Sequence, residues 1–385
     1  MTTTLHRSAK NLVVVQLSGG NDYLNTVVPY SDGLYYDYRP AVGIPAEGLL
    51  PLDERVAFPT SMAPIKRMWD QGKVAVIMGI GYPNHSRSHF RSMDIWHTAN
   101  PDTFDMEGWL GKTVGALDPT GRNPITAVSF GRGLPRALAC PDVAAASVGQ
   151  LESYGLFTGI PGAHARDPLL DVAKRVYSPQ ASAQFVSRRL LGTGMAAQEG
   201  ADMLRTASAN YTSTVDYPAR HPYYPVSEHL QGVAAVMAAD LGTRVYYTMH
   251  GSFDTHGDEV VNHARLWDRL SISLDAFFTD LDQHGVRKDT VVLLFSEFGR
   301  RIKDNNGGTD HGAGGVAMLI GDSVRGGLYG DYPSLAPADQ DEGDVRTTTD
   351  FRALYASILE QFLDVDPAVA VAGAGSYQQL PLRRS

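Results

Sequence analysis

Apolar positions gather along the chain in six short runs, at residues 11–18, 73–80, 125–130, 244–249, 290–296 and 316–320. Each is a near-continuous stretch of Val, Ile, Leu and Met rather than an alternation, the pattern of strands covered on both faces. Between the runs the period changes. Phe351, Leu354, Tyr355, Ile358, Leu359 and Phe362 recur at helical spacing after a cap-like Thr349. A second helical stretch spans 260–281, with Leu266, Leu270, Leu274 and Phe278 on one face. Strands alternating with helices predict an α/β fold with a mainly parallel central sheet and helices on both faces. Residues 132–224 hold few strand signals and much Ala, Ser, Gly and Pro, which predicts a helical insertion or cap within a single domain spanning 1–385.

Composition narrows the function classes. The 385 residues include 33 Lys and Arg against 42 Asp and Glu, a net charge of −9. That balance lacks the basic footprint that nucleic acid or an anionic membrane demands. A single cysteine, Cys140, excludes an intrachain disulfide framework and a thiolate zinc cluster, so any metal must be held by His, Asp, Glu or Asn. No apolar run reaches the roughly 18 residues of a spanning helix. Residues 1–10 are polar and carry no secretory pattern, which predicts a soluble protein that stays in the cytoplasm unless a leader has been removed.

In an open parallel sheet, ligands bind beyond the carboxyl ends of the strands. Polar residues recur there after four of the runs. The first leads into Ser18-Gly19-Gly20-Asn21-Asp22, in which Asp22 is a metal ligand or an ordinary turn carboxylate. The glycines do not form a dinucleotide fingerprint. The fourth run leads to Asp254-Thr255-His256, whose i and i+2 side chains share a face in extended backbone, an oxygen–imidazole pair suited to zinc, manganese or iron. Glu297 directly follows a buried run, where a carboxylate needs a metal or an ion pair, Arg300 and Arg301 being the nearest partners in sequence. Asp310 and His311 lie among glycines that allow both to turn toward one site. Ser86 and Ser88 precede a predicted helix through Phe90, Met93 and Trp96. They read either as N-caps or as a nucleophile at a helix start that favours an anion, with Arg87 and Arg91 beside them.

The stretches at 17–30, 81–96, 242–260, 296–315 and 350–363 resemble a bacterial family of unknown function, the DUF1501 proteins. That family in turn is similar to the alkaline phosphatase and sulfatase superfamily. The resemblance implies an α/β sheet with metal ligands at strand ends and a nucleophile at a helix start. Carried over, Asp22 resembles the first-strand ligand. Asp254 and His256 resemble the ligands of one metal, and His311 the last histidine. Ser88, with Ser86 as competitor, resembles the nucleophile. Phe298 stands where many superfamily members carry a histidine ligand. Many members also start with a twin-arginine signal, which here would mean a periplasmic or secreted protein from which the leader was removed.

Together these features predict a metal-dependent hydrolase of small-molecule phosphate or sulfate esters. One or two divalent ions, zinc or manganese first and calcium or iron next, would be held by Asp22, Asp254, His256, Glu297, Asp310 and His311. Ser88 or Ser86 would attack, and Arg87 and Arg300 would bind non-bridging oxygens. Two alternatives stand beside this reading: a non-catalytic binding protein with a degenerate metal site, and transfer of the anionic group to an alcohol rather than to water.

Overall fold

A computed structural model describes residues 11–151, 153–156, 159–160, 163–178 and 184–384. The polar stretch 1–10, on which the export expectation rests, and parts of 132–224 lie outside the described residues.

All six apolar runs form strands: β1 (Asn11–Leu17), β2 (Val74–Gly81), β3 (Ala127–Phe130), β5 (Val245–His250), β6 (Thr290–Phe295) and β9 (Gly315–Ile320). Four shorter strands complete the numbering in chain order, β4 (Ala146–Val148), β7 (Arg300–Asp304), β8 (Thr309–His311) and β10 (Gly327–Tyr329). The central sheet runs β10-β2-β9-β6-β1-β5-β3-β4, with the two-residue strand Thr349–Asp350 also pairing β2 in parallel, while β7 and β8 form a separate antiparallel pair. Strand β1 sits in the middle, parallel to β5 through Leu12↔Val245 and to β6 through Leu12↔Val291. Strand β9 alone runs antiparallel to both its neighbours, β2 and β6.

Both faces of the sheet are covered, so even alternate residues of β1 are fully buried. Val13 and Val15 join a core with α1 (Ala63–Asp70), α6 (Val226–Ala238) and α7 (Glu259–Gln283). Leu12 and Val14 join the opposite core with α2 (His89–Thr98), α3 (Trp109–Leu117) and α8 (Phe351–Ile358). There Trp109 stacks on Tyr355 with ring centroids 3.9 Å apart. Each face therefore buries several aromatic and branched side chains, at roughly 1.5–3 kcal/mol per fully buried side chain.

Two sequence expectations shift. The cap of α8 is Asp350, not Thr349, because the Asp350 carboxylate accepts from the Arg352 N–H. The segment 132–224 is not wholly an insertion. Its strand β4 extends the central sheet beside β3 in parallel register, a strand too short and small-sided to show as an apolar run. The helices that follow, α4 (Ala163–Val176) and α5 (Phe185–Asn210), are the helical part, and α5 packs on α6.

Candidate metal centre

Four side chains converge beyond the carboxyl ends of β5 and β6. Asp254 and His256 come from the loop after β5, His311 from β8, and His89 from the first turn of α2. His311 Nε2 and His256 Nε2 lie 3.1 and 3.0 Å from Asp254 Oδ1 and 3.0 Å from each other. His89 Nε2 lies 3.4 Å from Asp254 Oδ2. One ligand atom from each of His89, Asp254 and His311 falls within a 4.8 Å cluster.

The other nitrogen of each ring decides its tautomer. His89 Nδ1 lies 2.8 Å from Glu297 Oε1, His256 Nδ1 lies 3.1 Å from Asp310 Oδ1, and His311 Nδ1 lies 2.8 Å from the Arg87 carbonyl. Carboxylates and a carbonyl only accept, so each Nδ1 carries its hydrogen. In a neutral ring each Nε2 then presents its lone pair to the cluster. Among the described residues, His89 Nε2 is buried without a hydrogen-bond partner. Lone pairs crowded beside a carboxylate repel one another unless a proton or a cation lies between them. This is the arrangement in which an outer acceptor orients a metal-binding imidazole.

Electrostatics sharpen the contrast among these groups. Burial acts to raise the Asp254 carboxyl, but the Arg300 guanidinium, which donates to it at 2.7 Å, works against burial, and the pKa is held down at about 2. The Glu297 hydrogen bond, against burial, raises His89 above its ordinary value. Glu297 itself is 2% exposed and also accepts from the Gly19 N–H at 2.9 Å. Gly19 has φ +122°, and a Cβ there would lie 2.4 Å from the Asp254 nitrogen, so only glycine lets the first loop pass this close.

The structure sorts the residues read from sequence. Asp254, His256 and His311 come together. Glu297 and Asp310 stand behind the histidines rather than among the converging atoms, and Glu297 meets His89 in place of an arginine. Asp22 is elsewhere: both its oxygens accept from the buried Arg39 guanidinium, and Oδ1 also accepts from the Leu24 N–H. Arg300 is 1% exposed and committed to the carbonyls of Gly19, Gly20, Phe253 and Thr309 and to Asp254, which leaves it facing the protein rather than a substrate. The Arg87 side chain binds Asp344 at 2.7 Å. Ser88 occupies the N-cap position of α2 but makes no side-chain cap bond and is exposed, while Ser86 Oγ accepts from the Ser88 N–H at 3.2 Å. Phe298 packs its ring 5.0 Å from that of His89 and 4.9 Å from that of His311.

Sequence reasoning missed His89. It directly follows Ser88, the serine read as a cap or nucleophile at the helix start. The usable signal was a histidine in the first turn of a helix that follows a buried strand, at the same edge as the other candidates.

Fold and geometry together describe an α/β protein whose carboxyl edge gathers three histidines and an aspartate, of which His89, Asp254 and His311 form a group that could hold a metal ion. Residues 78–381 match the family described as "Protein of unknown function (DUF1501)", and the chain belongs to that family. A comparison with curated proteins found no match. Among solved structures, the chain is similar to a protein in the alkaline phosphatase superfamily from Vibrio parahaemolyticus, at 8% identity and a TM-score of 0.40, covering 94% of this chain and 67% of that one. It is similar also to the soluble domain of lipooligosaccharide phosphoethanolamine transferase A from Neisseria meningitidis, at 9% identity and 0.40, covering 100% and 96%. The PsFucS1 sulfatase from Pseudoalteromonas sp. is similar at 12% identity and 0.37, covering 98% and 74%.

Proposed function

We propose that the chain is a hydrolase of phosphate or sulfate esters that works with one divalent cation held by His89, Asp254, His256 and His311. The observation that carries this is the set of three imidazoles, each with Nδ1 bonded to an acceptor and Nε2 turned to the same carboxylate. The donor set fits zinc, manganese or iron, since calcium takes six to eight oxygen ligands. One ion is proposed rather than two because Asp22 is paired with Arg39 and Glu297 with His89, while the Arg300 guanidinium already neutralises one side of Asp254. When bound, such a cation polarises an ester oxygen and stabilises charge developing on it.

The protein groups supply the rest. Glu297, Asp310 and the Arg87 carbonyl hold the three rings in register. Ser88, exposed and adjacent to His89, supplies the nucleophile: its Oγ bonds to phosphorus or sulfur as the bond to the departing alcohol breaks, and the serine proton ends on that alcohol. Water then cleaves the serine ester, restoring the hydroxyl and releasing the anion.

The test is elemental analysis of chelator-free protein in moles per chain, alongside turnover of aryl phosphates and sulfates. About one equivalent, lost in His89→Ala and Asp254→Ala, with turnover reduced by orders of magnitude in Ser88→Ala, is expected. No metal retained after reconstitution with zinc, manganese or iron, and no turnover, would instead favour a binding protein on this fold.

A further inference from the structure

Helix α2 begins at the cluster and continues along a cavity. His89 is its first residue, and Met93 and His97, one and two turns further along the same side, line a space of about 280 Å³. The sheet side of that space is made by Gln16 of β1, Ser129 of β3 and Tyr247 of β5. Its rim carries Leu134 and Met249, which are 45% and 44% exposed. The cavity thus opens at the same carboxyl edge as the cluster. At 1.5 Å per helical residue, Met93 and His97 stand roughly 6 and 12 Å along α2 from His89.

The lining is polar but uncharged at its floor. Tyr247 donates to Gln16 Oε1, and His97 Nε2 lies 3.1 Å from that oxygen and 3.0 Å from the Tyr247 hydroxyl. Gln16 commits its carbonyl oxygen to these bonds. Burial holds the His97 ring down at about 4, so the floor is neutral at physiological pH. Arg132, exposed on the loop after β3, is the one ionic residue of the lining. A charged group placed on such a floor loses its hydration without finding a counter-charge. A volume just under the ~300 Å³ at which ordinary ligand pockets begin admits one ring rather than a polymer.

We propose that this cavity receives the organic part of the substrate, a compact uncharged phenol or ring-bearing alcohol, while its esterified phosphate or sulfate lies at the histidine–aspartate cluster. The inference rests on the hydrolase reading and adds the leaving-group class to it. Met93, Leu134 and Met249 supply apolar contact to the ring faces, and the Gln16 amide meets its polar substituent.

The experiment has two arms. In the first, phenol is titrated into the chelator-treated full chain by calorimetry, for the natural sequence and for Leu134→Trp and Met249→Trp, two rim variants whose fold is checked by circular dichroism. In the second, kcat/KM is measured for phenyl and methyl phosphate and for phenyl and methyl sulfate with the metal-loaded protein, which separates the two anions. Saturable phenol binding weakened at least tenfold by a rim tryptophan is expected. A tenfold loss of kcat/KM toward the phenyl ester, with the methyl ester within twofold, is expected beside it. Turnover without phenol binding and with unchanged phenyl-to-methyl preference overturns the cavity assignment alone. Phenol binding without turnover of any ester overturns the hydrolase reading and, with it, the substrate role given to the cavity.

Discussion

Asp22 shows how one residue type serves two chemistries. In sequence it was a candidate ligand, yet in the fold it is fully buried beside Arg39, which is 1% exposed. Glu259, on the same buried network, accepts from Thr309 and Asn25. Burial, then the neighbouring Asp22 charge, pushes the Glu259 carboxyl well above its ordinary range, while the Arg39 guanidinium works against burial and holds Asp22 low. Removing one partner strands a buried charge. Arg39→Met is therefore expected to cost about 3–5 kcal/mol in urea unfolding, and a change under 1 kcal/mol would contradict the pairing. Buried histidines set a second test. His250 and His263 are held down at about 4 by burial, against about 6.5 in an unfolded chain. Between those values the unfolded chain binds more protons, so stability rises with pH and is lost as pH falls from about 6.5 toward 4. The urea midpoint should drop from pH 7 to pH 5. His263→Gln, which keeps a donor toward Asn21, should make that drop smaller, and an unaltered slope would refute the assignment.

At the scale of elements, the centre depends on how closely two loops approach. Gly308, just before β8, would place a Cβ 2.2 Å from the Thr255 carbonyl and 2.4 Å from the His256 backbone. Gly308→Ala must push the Asp254–His256 loop away from His311. The expected result is at least a tenfold weaker metal affinity by competition with a chromogenic chelator, with the thermal midpoint of the metal-free protein falling only slightly. The strands were legible because buried parallel strands are apolar throughout, and the carboxyl-edge rule then located Asp254, His256 and His311. His89, the pairing of Asp22 with Arg39, and the engagement of Glu297 by His89 and of Arg300 by Asp254 were not legible. Whether a carboxylate faces a cation or an arginine depends on partners such as Arg39, 17 residues on from Asp22 and unmarked by any local pattern. Strand β4 stayed hidden for a simpler reason, three small residues carrying too little hydrophobic signal.

For the whole molecule, the centre draws on segments at 89, 254–256 and 311, with second-row support from 87, 297 and 310, so it exists only when most of the sheet is assembled. A cation bound there would stabilise the native state alone. At a free metal concentration a hundredfold above Kd, the gain is about 2.7 kcal/mol, which calorimetry should register as a higher unfolding temperature that chelator reverses. An unfolding temperature indifferent to chelator would argue against resident metal.

The position of β1 has its own consequence. This strand is made before its partners, since Val245 and Val291 lie on strands that leave the ribosome more than 200 residues later. Until then Leu12 to Val15 have no lattice of neighbours, and a nascent or truncated chain ending before β6 exposes an adhesive β-forming segment. Chains stopped before residue 290 should therefore be recovered in the insoluble fraction or bound to chaperones, and self-association of such fragments is the hazard that synthesis of this protein must outrun.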